Sequence, residues 1–219
     1  MRELPAGHDA VMLDFSADAD PTTSVLAAAA ALRASIRAGG LSAVTDVIPS
    51  AHTVLVQSAP GTGIDVLGIH RALKASTDDP AGAKSTTQVE IPVIYDGADL
   101  DDVAGLLGVD ADEVCRRHRD TRWRVQFMGF APGFGYLVPD DEDSDPFGGV
   151  GRRDEPRTRV PAGAVAIAAG YSAVYPRESP GGWYLLGHTT IGLWDEDATP
   201  PALLAPGTVV RFVDANGAS

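Results

Sequence analysis

Over the first 92 residues the apolar positions change period several times, and each change predicts an element. Val11-Met12-Leu13-Asp14-Phe15 reads as a strand, and Asp20-Pro21 then supplies an N-cap followed by proline at the first helical position. The helix that follows carries Leu26, Ala29, Leu32, Arg33 and Ile36 at three- and four-residue spacing. It stops at Gly39-Gly40, where a left-handed C-cap costs least. Ser42–Ile48 and His52–Gln57 read as two strands joined at Pro49-Ser50. Ile64–Lys74 reads as a second helix with Val66, Ile69 and Leu73 on one stripe, and Thr87–Pro92 as a fourth strand. Thr77–Ser85, rich in Asp, Pro and Gly, is the loop before it. The order β-α-β-β-α-β predicts a split βαβ sandwich in which two helices cover one face of an antiparallel sheet.

From Val93 onward the pattern changes. Asp99 is placed to cap a short helix containing Leu100, Val103 and Leu107, and Asp110 with Glu113 resembles a capping box for Val114–Arg119. Beyond that, Trp123–Phe130, Ala164–Ala168, Ser172–Tyr175, Trp183–Trp194 and Thr208–Val213 are β-rich runs between Pro and Gly turns, which predicts a β-barrel or sandwich. The acidic stretch Pro139–Pro146 interrupts this region and reads as an exposed loop. The expected fold class is α+β, with domains over 1–92 and 93–219.

Composition narrows the class. At 219 residues, 44% hydrophobic, 21% charged and mean hydropathy near zero, the chain reads as an ordinary soluble protein. Its longest apolar run, Val25–Leu32, is far short of the roughly 20 residues needed to cross a bilayer, and no secretory leader is visible at Met1–Pro5. A single cysteine, Cys115, excludes an internal disulfide and a cysteine-rich zinc site, which suits a reducing cytoplasm. The net charge of −13 argues against nucleic acid and acidic membranes as partners. Nine of fifteen arginines nevertheless fall between Arg116 and Arg159. They mark either a site for an anionic small ligand or the neutralisation of nearby acids such as Asp140, Asp141, Asp154 and Glu155.

Several chemistries fail on inspection. Ala81-Gly82-Ala83-Lys84-Ser85 lacks the glycine beside the lysine that a P-loop needs. The five histidines show no metal-ligand spacing, and Ser172 has no second glycine to form a nucleophile elbow. Cys115, in a helix beside arginines, is either packing or a nucleophile. What remains is a dense set of glycine, proline and aromatic residues. Gly129-Phe130-Ala131-Pro132-Gly133-Phe134-Gly135-Tyr136-Leu137 is one segment, and Ser179-Pro180-Gly181-Gly182-Trp183 another, with Pro and Gly as a type II turn wants them. They build either barrel corners or a shallow pocket for a small polar ring or amide, with Arg157 and Arg159 available for a carboxylate.

These segments, with Ile91–Tyr95, Asp99-Leu100-Asp101-Asp102-Val103-Ala104, His118, Pro156-Arg157-Thr158-Arg159-Val160-Pro161-Ala162-Gly163, Val174-Tyr175-Pro176 and Trp183–Thr189, resemble the KipI family. That family is also called allophanate hydrolase subunit 1 and includes the B-type subunit of prokaryotic 5-oxoprolinase. The resemblance is tight over the C-terminal part. It implies an N-terminal α/β domain, here ferredoxin-like by its predicted topology, and a C-terminal cyclophilin-like β-barrel. It further implies a KipA or subunit 2-type partner, a LamB/YcsF-like partner, and the ATP-dependent opening of 5-oxoproline to glutamate by the complex, with the ATP site not located in this chain. Two alternatives come with the family: a subunit acting on another amide or urea-type substrate, as in urea carboxylase, and a non-catalytic inhibitor of a sensor histidine kinase. The motif positions Tyr171-Ser172 and His188 depart from the usual Gln-Thr and Arg, and Val138–Gly151 is an insertion. On this reading Arg157 or Arg159 holds a carboxylate or phosphate, and His118 and His188 are candidates for proton transfer. For His118 the alternative is a charge stabilising a helix C-terminus. Backbone amides of Gly133, Gly181 and Gly182 would polarise the carbonyl, and Phe130, Pro132, Tyr136, Tyr175, Ser179, Trp183 and Thr189 complete the expected binding set.

Overall fold

The computed structural model describes residues 1–77, 87–141 and 144–217. Of the loop expected over Thr77–Ser85, Thr77 is the last residue of a helix and 78–85, with Lys84 and Ser85, lie outside the described residues, as do two positions of the acidic stretch, 142 and 143. The chain divides into two compact units, Met1–Lys84 and Ser85–Ser219.

The first unit contains β1 (Arg2–Pro5), β2 (Ala10–Asp14), α1 (Pro21–Arg37), β3 (Val44–Pro49), β4 (Thr53–Ser58) and α2 (Val66–Thr77). Local signals set α1: Asp20 accepts a 2.8 Å hydrogen bond from the Thr23 amide, and Gly39 just past the end takes φ 80°. Its inward stripe of Val25, Ala28, Ala29 and Leu32 packs with Leu13, Val54 and Val56 of the sheet and Ile69 of α2. The sheet is antiparallel in the order β1-β2-β4-β3.

The fourth strand expected here belongs elsewhere. Its place beside β2 is taken by β1, with Arg2 opposite Asp14, whereas β5 (Gln88–Val93) pairs in parallel with a strand of the second unit. Burial decides this: Ile91 and Val93 are fully buried in the second unit's core, with Val210 and Phe212. A ferredoxin-like sandwich completed by Thr87–Pro92 is thus corrected to a four-stranded sheet completed by the N-terminal segment.

The second unit continues with α3 (Leu100–Leu107), α4 (Ala111–Asp120), β6 (Trp123–Met128), β7 (Gly135–Pro139), β8 (Arg157–Val160), β9 (Ala164–Ala168), β10 (Tyr171–Val174), β11 (Ser179–Gly181), β12 (Tyr184–His188) and β13 (Val209–Asp214). Seven strands form one sheet in the order β12-β9-β10-β7-β6-β13-β5. Its two edges meet, because Ile94 and His188 exchange backbone hydrogen bonds of 2.9 Å and Gly97 donates to the Leu186 carbonyl at 3.1 Å. The result is a nearly closed barrel. Glycine is obligatory at this seam: a Cβ on Gly97 or Gly187 would lie 2.2 Å from a backbone oxygen across it. β8 and β11 form a separate ribbon in which Arg157 stands opposite Gly181.

Candidate functional site

One cavity of about 260 Å³ gathers most of the glycine, proline and aromatic motifs. Phe134, 2% exposed, is the centre of its wall, with ring centroids of Tyr136, Phe130, Tyr175 and Trp183 at 5.0, 5.1, 5.3 and 5.8 Å, all edge-to-face. The loop that presents it closes on itself, the Phe134 amide donating to the Ala131 carbonyl at 3.0 Å and the Gly129 amide to the Phe134 carbonyl at 3.2 Å. Within this loop Phe130 adopts φ 65°, a left-handed conformation costly for a bulky residue, and holds its ring 56% exposed on the cavity's rim. Gly181 admits the Tyr175 hydroxyl, which a Cβ would meet at 2.3 Å. Burial pushes that phenol up to about 12, Tyr136 adds to the rise, and Arg152 and Arg157 pull it partly back. The hydroxyl therefore keeps its proton throughout the physiological range and is available as a donor.

The polar wall is organised by Asp99, expected as a helix cap and as part of a family motif but not as a site residue. Asp99 makes no capping hydrogen bond to α3. It is 1% exposed and accepts instead from Arg153 Nη1 at 2.5 Å and Arg157 Nη2 at 2.7 Å on one oxygen, and from the Leu185 amide at 2.7 Å on the other. Arg153 also lies over the Tyr184 ring at 5.6 Å, and its amide donates to the Gly182 carbonyl at 2.8 Å. Arg153 Nε and Arg157 Nη1 are buried with no hydrogen-bond partner among the described residues.

Of the expected site residues, Phe130, Tyr136, Tyr175, Gly181, Gly182 and Trp183 line this cavity, and Arg157 stands beside it opposite Gly181. The others do not line it. Arg159 is an exposed fork on Glu178, at 2.8 and 3.1 Å. Ser179 is buried and donates to the Arg177 carbonyl at 3.1 Å, and Thr189 is buried, accepting from the Ile191 amide at 3.3 Å. Pro132 is exposed on the loop, while Gly133 is buried against Leu193 and Trp194. His188 sits at the barrel seam with Nδ1 2.8 Å from Asp96. His118 is fully buried between Tyr95 and Ser172, each at 2.8 Å, and stacked on Phe212 at 4.3 Å. Burial pushes its imidazole down to about 3, so it is a neutral core residue, with no charge to stabilise a helix end and no open nitrogen for proton transfer. Sequence reasoning missed Asp99, Arg152 and Arg153 as members of the site. The available signals were the place of Arg152 and Arg153 among the clustered arginines and that of Asp99 at the start of a family motif before α3.

The arginine cluster also resolves. Arg116 and Arg117 pair with Glu113, Arg119 with Asp214, Arg122 and Arg124 with Asp140, Arg153 and Arg157 with Asp99, and Arg159 with Glu178. Arg152, exposed and lining the cavity, has no carboxylate partner among the described residues. Among the described residues no group of three or more acidic, histidine or cysteine side chains is arranged to hold a metal, and no helix is long and apolar enough to cross a membrane.

A nearly closed barrel preceded by a small α/β unit is the fold of carboxyltransferase-type modules. The Kluyveromyces lactis urea carboxylase structure shares it with TM-score 0.72 over 97% of this chain and 21% of its own, at 18% identity. The chain belongs to the carboxyltransferase domain, subdomain C and D family, whose model matches residues 1–204. Within it the chain is 34% identical over 214 residues to the B-type subunit of 5-oxoprolinase from Escherichia coli O157:H7, covering 94% of this chain and 93% of that protein. It is 39% identical over 134 residues to the corresponding 5-oxoprolinase subunit of Bacillus subtilis strain 168, covering 57% and 52%. The resemblance to the KipI and 5-oxoprolinase family drawn from the motifs therefore holds. Among solved structures TTHA0988 gives TM-score 0.77 at 33% identity over 95% of this chain, which spans 40% of that chain's length.

Proposed function

We propose that this chain is the B-type subunit of an ATP-dependent 5-oxoprolinase, a hydrolase that opens the cyclic amide of 5-oxoproline with one water to give L-glutamate. The observation that carries this reading is the end-to-end identity with a 5-oxoprolinase subunit of that type, with the shared barrel carrying the aromatic cavity. 5-Oxoproline is a flat five-membered lactam bearing one carboxylate. Aromatic edges suit the ring, the protonated Tyr175 hydroxyl suits a lactam carbonyl, and guanidinium groups suit the carboxylate.

ATP does not fit the aromatic cavity. The cavity of about 260 Å³ falls below the roughly 300–1,000 Å³ typical of sites for drug-sized ligands, and a nucleotide is larger still. We therefore place ATP on, or shared with, a KipA or subunit 2-type partner and a LamB/YcsF-like partner, in the cytoplasm. The test is 5-oxoproline-dependent ADP release by this chain alone and with both partners added. Turnover only in the full mixture is expected. An assembled complex that releases no ADP with 5-oxoproline would overturn the assignment and favour another amide substrate.

A further inference from the structure

Eight of the nine arginines between Arg116 and Arg159 hold a carboxylate, and the ninth, Arg152, stands on the cavity with none among the described residues. From this asymmetry we infer that Arg152, and not Arg157 or Arg159, is the residue that selects a carboxylate-bearing ligand in the cavity. The inference rests on reading that cavity as the substrate site.

Arg153 and Arg157 are the obvious competitors, and each already faces a carboxylate: both donate to one oxygen of Asp99, and Arg153 also lies 3.6 Å from Asp102, although each keeps one buried donor without a partner among the described residues. Arg159 is spent on Glu178. Among the described residues nothing neutralises Arg152, which leaves its charge and its five donors for a ligand. Its backbone is nonetheless anchored. The next residue, Arg153, is tied through its amide to the Gly182 carbonyl and through its side chain to Asp99, so the stem of Arg152 starts from a fixed point beside the Gly-Gly turn. Tyr175 lines the same cavity as Arg152. A carboxylate held there would receive the Arg152 guanidinium fork, which leaves the Tyr175 hydroxyl for the lactam carbonyl, while the lactam ring would lie against Phe134 and Trp183.

The test measures binding to the full chain by quenching of tryptophan fluorescence, since Trp183 is part of the wall. The probes are 5-oxoproline and its uncharged relative 5-oxoprolinamide, with cyclopentanecarboxylate as a carboxylate that carries no lactam. Wild type is expected to bind 5-oxoproline at least tenfold more tightly than the amide. Arg152→Gln should weaken the acid tenfold or more and leave the amide within twofold, so that the preference disappears. Arg152→Lys should restore part of it, a point charge without the fork. The same charge change on the exposed β13 residue, Arg211→Gln, should leave the ratio as in wild type. Retention of the acid preference by Arg152→Gln overturns the inference, and so does a wild-type chain with no acid preference. If the assembled complex fails to turn over 5-oxoproline yet cyclopentanecarboxylate binding still depends on Arg152, the 5-oxoprolinase reading falls and the role of Arg152 stands.

Discussion

A carboxylate at 1% exposure has lost its water, and Asp99 recovers that loss only through two guanidinium groups and a backbone amide. Removing it strands the arginines. Asp99→Ala is therefore expected to destabilise the chain by roughly 3 kcal/mol, as for breaking a buried ion pair. Asp99→Asn keeps the size but turns one acceptor into a donor, so it should also destabilise, and urea unfolding followed by tryptophan fluorescence would measure both. An Asn variant as stable as wild type would mean that the charge contributes nothing. Gly181 makes a second residue-scale case, since its missing Cβ leaves room for the Tyr175 hydroxyl at 2.3 Å and for the ring carbon that bears it at 2.9 Å. Gly181→Ala should cost about 1–3 kcal/mol by overpacking and empty the cavity of ligand. Adding Tyr175→Phe should recover part of that stability in a thermal melt, because the worst contact is gone while the second remains. Sequence spacing showed glycine and tyrosine in separate motifs; that they touch is a property of the barrel. Asp99 was legible as a cap for α3 because capping is local, but its real partners lie 54, 58 and 86 residues away.

Elements divide along the same line between local and distant signals. α1 forms where its N-cap, proline and glycine stop predict it, and Asp110 caps α4 through the Glu113 amide at 2.8 Å. The reciprocal half of that capping box is absent, because the Glu113 carboxylate holds Arg116 and Arg117 instead. Alternation shows that Gln88–Val93 is a strand, yet not which sheet claims it, since a parallel partner 121 residues further on leaves no local trace. On α4 the inward positions are Val114 and His118, so the histidine expected to transfer protons or stabilise the helix end is a spoke of the core. Its ring nitrogens meet Tyr95 and Ser172, an arrangement a neutral imidazole satisfies by accepting from one and donating to the other. A consequence follows for acid stability. His118 is held down to about 3 in the folded state, against roughly 6.5 when unfolded, so the unfolded chain takes up the proton first. Stability is then lost as pH falls from about 6.5 toward 3. By pH 4 the loss should reach about 3 kcal/mol, at about 1.4 kcal/mol per pH unit. The His118→Gln variant should lack this component, so its unfolding free energy should fall less steeply than that of wild type over that window. Parallel curves for the two proteins would show that the ring is not neutral in the fold.

At the scale of the whole molecule the two units keep separate cores. One cluster is built only from residues between Val11 and Leu73, and the other two only from residues at or after Val89. The ring contacts of the cavity, the seam at Ile94 and His188, and the Asp99 clamp all belong to the second unit as well. Charge shows the same organisation: Asp140 and Glu178 lie 16 to 19 residues from the arginines they hold, but Asp99 and Asp214 answer arginines 54 to 95 residues away along the chain. The acids neighbouring the arginines in sequence thus accounted for only part of the neutralisation. The separation of cores makes a strong demand on the polypeptide. A chain of residues 85–219 should fold by itself, because its hydrophobic clusters, its barrel closure and its buried ions are complete without residues 1–84. All three tryptophans, Trp123, Trp183 and Trp194, lie within it, so near-ultraviolet circular dichroism reports on its packing directly. The expected result is a native-like aromatic spectrum and one cooperative thermal transition, with the acid preference of the cavity retained at the full-length value. A spectrum without aromatic signal would mean that the barrel depends on the first 84 residues to form, whatever its own core contains.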